Sequence, residues 1–119
     1  MEFPKLHLFG LPRLEWDGQS QQLAVNTPVS LLIRLAVASD WLPRQQLAWL
    51  YRPDSDEEDA LRYLRLQLHR AQQYPWATGL EVERDRLRWQ AETDLAEFRA
   101  AVALGDWPSA VFLAGAPLL

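Results

Sequence analysis

Apolar residues recur along this chain in two rhythms, every second position or every third and fourth, and the switches between them mark the elements. Lys5-Leu6-His7-Leu8-Phe9 alternates and predicts a strand with Leu6 and Leu8 on one face. Gly10 and Pro12 interrupt it. Arg13-Leu14-Glu15-Trp16 alternates again and runs into Asp17-Gly18, a pair suited to a two-residue hairpin turn because both types tolerate positive φ. The return strand is expected from Gln19 to Val25, so the chain opens on a small antiparallel sheet. The period then lengthens. Thr27-Pro28 predicts a helix start, with Thr as cap and Pro at the first helical position; Leu31, Leu32, Leu35 and Ala36 follow at helical spacing and Ser39-Asp40 ends the run. Trp41-Leu42-Pro43 reads as a connector, and residues 44–50 as a second helix burying Leu47 and Leu50 before Pro53.

A third helix is expected over 56–73. Ser55-Asp56-Glu57-Glu58 fits a capping box, and the acids beside it belong in a first turn, where the helix dipole favours negative charge. That explains the acidic run as a helix start. Tyr74-Pro75-Trp76 closes the helix. Leu80-Glu81-Val82-Glu83 and Leu87-Arg88-Trp89 then alternate on either side of Arg84-Asp85-Arg86, a β-hairpin with a charged tip. From Asp94 the period is helical again through Leu95, Phe98 and Val102; Gly105 suits a C-terminal cap, and Asp106-Trp107-Pro108 starts a short helix with Ala110, Val111 and Leu113. The expected fold is α+β: an N-terminal antiparallel sheet, three helices and a C-terminal wing hairpin, the order of a winged helix-turn-helix, followed by a short αα-hairpin. Helices two and three would be the helix-turn-helix and residues 80–90 the wing. The expected division is 1–91 for the winged helix and 92–119 for the αα-hairpin.

Composition narrows the function classes. The chain has 119 residues and no cysteine, which excludes a disulfide scaffold, thiolate metal sites and cysteine nucleophiles and fits a reducing compartment. No apolar run approaches the ~18 residues of a membrane span, and Met1-Glu2-Phe3-Pro4-Lys5 lacks the basic start and apolar block of a secretion signal. A cytoplasmic protein without membrane contact is expected. His7 and His69 lie on different elements with no clustered ligands, so no metal site is expected. No glycine-rich phosphate loop occurs, and Ser30, Ser39, Ser55 and Ser109 lack a His and carboxylate setting; the reading is of a non-enzyme without cofactor.

Net charge is −4, yet it is unevenly spread: residues 54–59 carry −5, whereas residues 60–91 carry six Arg against three acids. A bulk charge says little when the signs are segregated. On the third helix, at about 100° per residue, Leu61, Leu64, Leu68 and Ala71 fall within roughly 80° of one another, and Arg62, Arg65 and His69 within roughly 60° of one another on a different side. Arg70 lies to one side of that row, Gln73 beside it and Leu66 near it, and no acid occurs between Ala60 and Leu80. Such a face suits a DNA major groove: the Arg fork takes guanine edges or clamps phosphate, and Gln pairs with adenine. A solvated helix face is the simpler reading of the same row. On the hairpin, Arg84, Arg86 and Arg88 would reach phosphate or a minor groove, although Glu81, Glu83 and Asp85 interleave with them and allow cross-strand ion pairing instead. The six Trp are spread along the chain and read mainly as packing; Trp76 and Trp89, flanking the wing, are the pair to watch for base stacking.

Tyr51-Arg52-Pro53-Asp54-Ser55-Asp56-Glu57-Glu58-Asp59-Ala60-Leu61-Arg62-Tyr63-Leu64-Arg65, continued by Leu68-His69-Arg70, resembles the approach to helix three in bacterial transcriptional activator domain proteins, relatives of the antibiotic regulatory proteins with an OmpR-type winged helix. Leu6-His7-Leu8-Phe9-Gly10 with Asp17-Gly18 is similar to that family's opening sheet, and Asp94-Leu95 to Phe98, Gly105-Asp106-Trp107 and Gly115-Ala116-Pro117-Leu118-Leu119 to the start of its helical-repeat (TPR-like) domain. Ala71-Gln72-Gln73 departs from the family's Leu-Arg-Arg, removing two positive charges, and Arg52 stands where Trp is customary. The resemblance implies a transcription regulator whose third helix enters the major groove of double-stranded DNA. The expected DNA-binding residues are Arg62, Arg65, His69, Arg70, Gln73, Arg84, Arg86 and Arg88. A homodimer, or contact with other regulator domains or RNA polymerase, is compatible with it. The competing expectation is a winged helix used as a protein-interaction or dimerisation module, with the αα-hairpin and Leu66 as its docking surface.

Overall fold

The structure, a computed structural model, describes residues 4–103 and residue 105. In chain order its elements are β1 (Lys5–His7), β2 (Arg13–Trp16), β3 (Gln19–Gln22), α1 (Thr27–Ala38), β4 (Leu42–Pro43), α2 (Arg44–Tyr51), α3 (Glu57–Gln72), β5 (Leu80–Val82), β6 (Arg86–Trp89), β7 (Glu92–Thr93) and α4 (Asp94–Ala103). The class is α+β, with four helices and two small sheets among the described residues. The second helix expected from Asp106 lies outside the described residues. No described helix is long and apolar enough to cross a membrane.

The chain divides into two compact units. Among the described residues, one takes those up to Val25 together with those from Ala91 on; the other is Asn26–Gln90. The first is built on a sheet of order β3-β2-β1-β7. Asp17 (φ 54) and Gly18 (φ 73) form the β2–β3 turn, both with the positive φ that a twisted two-residue hairpin demands. The return strand stops at Gln22, short of the expected Val25. β7 pairs parallel with β1, Lys5 opposite Glu92 and Leu6 opposite Thr93, and so ties the opening sheet to the segment after residue 91. Thr93 accepts from the Ala96 N–H and starts α4, while the buried Asp94 carboxylate accepts from the Leu8 N–H at 2.8 and 3.0 Å and from the Phe9 N–H at 3.2 Å. Leu6, Leu8 and Leu14 are buried as their alternation predicts.

The second unit is three helices with a sheet of order β4-β6-β5. Its core takes Val29, Leu31, Leu32, Leu35 and Ala36 from α1, Leu47 and Ala48 from α2, Ala60, Leu64, Leu68 and Ala71 from α3, and Trp76, Leu87 and Trp89 from the segment beyond. Fully burying each leucine contributes roughly 1.5–3 kcal/mol, which sets the scale of the forces that hold α3 in place. Trp76 and Trp89 lie 5.9 Å apart, ring to ring, inside this core, and the Trp89 indole N–H donates to the Thr78 carbonyl at 2.9 Å. Their burial removes them as base-stacking candidates.

Several local expectations move by a residue or change character. Asn26, not Thr27, caps α1, its Oδ1 accepting from the Val29 N–H at 3.0 Å. Asp56, not Ser55, caps α3, accepting from the Asp59 N–H at 2.8 Å. In both cases two adjacent residues can cap, and the turn into the helix selects between them. Leu42–Pro43 is no mere connector: it pairs antiparallel with β6, Leu42 opposite Leu87, and makes the hairpin a three-stranded sheet. Leu50, expected in the core, is 51% exposed, because α2 buries the face of Leu47 and Ala48 instead.

Candidate nucleic-acid interface

α3 is positioned by its apolar side, and everything of interest lies on the other. Glu57, Glu58 and Asp59 occupy its first turn and His69 and Arg70 its last, the acids and Arg70 complementing the helix dipole. Between them Arg62, Arg65, Leu66, His69, Arg70 and Gln73 are all exposed on the outward side, the row predicted by angle. They are not equivalent. Arg62 is paired within the helix to Asp59 at 3.3 Å and Glu58 at 3.5 Å. Such exposed pairs are weak and exchange readily for a stronger anion. Arg65 and Arg70 have no acidic partner among the described residues. The Gln73 amide nitrogen and His69 Nε2 are 3.1 Å apart, a hydrogen bond that orients both side chains together. Leu66 is 45% exposed in the middle of this polar row.

The hairpin arginines have a different fate. Arg88 stands directly opposite Glu81 across the strands and donates to both its oxygens at 2.9 and 2.8 Å. Arg86 donates twice to Glu83 Oε1, at 2.9 and 3.1 Å. Both guanidinium groups also lie over the Trp41 ring, 4.1 Å away for Arg86 and 4.5 Å for Arg88. Each guanidinium thus has both a carboxylate partner and an aromatic ring beside it. Of the three hairpin arginines, Arg84 at the tip is the one with no acidic partner among the described residues. The tip itself is held: the Arg44 N–H donates to the Asp85 carbonyl and Arg44 Nε to the Glu83 carbonyl, both at 2.9 Å.

The eight residues expected to bind DNA therefore form a coherent row on α3 (Arg62, Arg65, His69, Arg70, Gln73), a lone tip cation (Arg84) and an occupied pair (Arg86, Arg88). Sequence reasoning missed Arg52. Its guanidinium stacks over Tyr63 at 4.0 Å, and with Arg70 it lines a cleft beside α1. The signal existed, an arginine replacing an expected aromatic just before Pro53, but its partner lies eleven residues on and only folding brings the two together. Gln67 was missed too. It falls on the flank of the apolar face and is buried, its Oε1 without a hydrogen-bond partner. Among the described residues no group of three or more His, Asp or Glu is placed to hold a metal ion. Comparison of the chain with family models, with characterised proteins and with solved structures finds no match.

Proposed function

We propose that the chain is the DNA-binding domain of a bacterial transcription regulator: a winged helix-turn-helix in which α2 and α3 form the helix-turn-helix, α3 enters the major groove, and β5–β6 is the wing. The observation that carries this reading is the outward side of α3, where Arg65, His69, Arg70 and Gln73 stand exposed without an acidic partner on a helix held by its buried Ala60, Leu64, Leu68 and Ala71. Long donors in register along one rigid helix suit base edges and flanking phosphates. Arg65 and Gln73 are assigned to bases, Arg62 and Arg70 to phosphate, and Arg84 to backbone beside the groove; Arg86 and Arg88 contribute by holding the hairpin rather than by free charge. No cofactor, metal or catalytic step is part of this proposal, and the site of action is the cytoplasm.

The test is selection of bound duplexes from a random pool, followed by binding of the winner and of a scrambled duplex between about 50 and 200 mM salt, where each phosphate contact adds about 0.9 to the slope of log affinity against log salt. The expected result is an enriched motif and a slope of about 2.7, about 0.9 for each of the cations assigned to phosphate or backbone, Arg62, Arg70 and Arg84. No enrichment and no salt slope would remove the proposal.

A second reading has an observation of its own. Trp49 and Leu50 are each 51% exposed on α2 and, with Pro43, line a shallow apolar depression. Together with Leu66 they favour a winged helix used for protein contacts, either in a homodimer or with another regulator domain or RNA polymerase. Concentration-dependent self-association with no duplex affinity would select it.

A further inference from the structure

The cleft beside α1 gathers two arginines without an acidic partner among the described residues and a buried amide oxygen without a hydrogen-bond partner. It encloses about 730 Å³ and is lined on its polar side by Arg52, Arg70, Gln67, Asn26, Gln73 and Tyr74. No carboxylate lines it. The Arg52 guanidinium lies over the Tyr63 ring, and neither it nor Arg70 has an acidic partner among the described residues. Asn26 is oriented twice over, its Oδ1 accepting from Val29 and its amide donating to the Tyr74 hydroxyl at 3.3 Å. That leaves the Tyr74 O–H free to donate in turn.

The N-terminal turn of α1 opens on the same cleft through Thr27 and Pro28. Val29 and Ser30 donate to Asn26 and Pro28 has no N–H, so the helix adds the field of its positive end more than hydrogen bonds. Gln67 supplies the independent sign of a ligand. It is 3% exposed, lines the cleft, and its Oε1 is buried with no partner. Buried polar atoms are nearly always satisfied. A half-turn about its last bond lets this amide offer a carbonyl to a hydroxyl or an NH2 to an anion.

From this set we infer that the cleft is a binding site for a small phosphomonoester. Two guanidinium groups match a dianion in charge, and their forks match phosphoryl oxygens in geometry. Pro28, Leu66 and the Tyr63 ring add apolar wall, so the site has room and affinity for an organic body beyond the phosphoryl group. Arg70, Leu66 and Gln73 belong both to the cleft and to the outward side of α3, so an occupant alters the surface assigned to DNA. The site itself does not depend on that assignment.

The test is a titration of the whole chain with inorganic phosphate and with phenyl phosphate at constant ionic strength, read by NMR at the Gln67 side-chain amide and at the arginine Nε–H groups. Saturable shifts at Gln67, with phenyl phosphate binding more tightly than phosphate, are expected. Arg52→Gln and Arg70→Gln, both at exposed positions, should each weaken binding by about tenfold or more, as loss of a charge-assisted hydrogen bond implies. Arg13→Gln, in the other unit, should change nothing. Absence of saturation at Gln67, or equal binding by the Arg52 and Arg70 variants, overturns the inference. A DNA duplex added in a separate arm distinguishes the source of the phosphoryl group: shifts at Gln67 with duplex and none with phenyl phosphate would assign the cleft to the DNA backbone and overturn the small-ligand site. Because the phosphate titrations contain no DNA, their outcome stands apart from that of the duplex selection.

Discussion

The α3 face and the β5–β6 hairpin belong to one compact unit and carry similar numbers of arginines, yet they present different surfaces. On the hairpin, strand alternation sets Glu81 opposite Arg88, the tight tip sets Glu83 against Arg86, and Trp41 takes both guanidinium planes. On α3 the acids are gathered in the first turn, so Arg62 finds partners one turn back while Arg65 and Arg70 find none. Arginine content is therefore not available charge. What matters is whether an acid falls at the spacing the local geometry brings together, opposite across strands or three and four along a helix.

This contrast can be attacked at decreasing strength. Leu64→Ala, in the buried side of α3, should cost about 2–5 kcal/mol in denaturant unfolding and loosen the row and the hairpin together; a loss below about 1 kcal/mol would mean α3 is not held by that side. Arg65→Ala should weaken binding to a selected duplex by about 1–3 kcal/mol while leaving a scrambled duplex nearly unaffected. An equal loss on both would turn Arg65 into a phosphate contact. Glu81→Gln removes the charge that occupies Arg88, and should steepen the salt dependence of duplex binding by about 0.9, one phosphate contact. No change in slope would show that Trp41, not Glu81, keeps Arg88 from DNA. Arg86→Ala should shift duplex affinity by about 0.5 kcal/mol or less, since its charge is already spent on Glu83. A larger loss would erase the distinction between the two faces. In the first unit, Asp94→Ala leaves the Leu8 and Phe9 N–H groups without their carboxylate and should cost about 1–3 kcal/mol in stability with no effect on α3 residues.

Much of this was legible before folding. Period alone located α1, α2 and α3 to within a residue or two, because each helix is held by an apolar side whose spacing is written in the chain. Asp17-Gly18 announced its turn because few residue pairs tolerate positive φ. The outward row of α3 was likewise local, a consequence of helical angle and of the acid-free run from Ala60 to Leu80. The caps at Asn26 and Asp56 were displaced by one residue since neighbouring side chains compete for the same N–H groups.

The rest is long-range. β4 and β7 are two residues each, too short to carry a period, and exist because β6 and β1 offer them an edge. The pairing of Asp94 with the Leu8 and Phe9 N–H groups joins positions far apart in sequence, as does the stacking of Arg86 and Arg88 on Trp41. The cleft that unites Arg52, Gln67, Arg70 and Asn26 gathers residues from the start of α1, the end of α2 and the second half of α3. Sequence by itself determined which side of each element faces inward and where positive charge accumulates, since both follow from spacing along one element. Which of those charges remain free, and which polar groups share a cavity, was decided by tertiary structure alone, because a partner's identity depends on the chain that folding brings alongside.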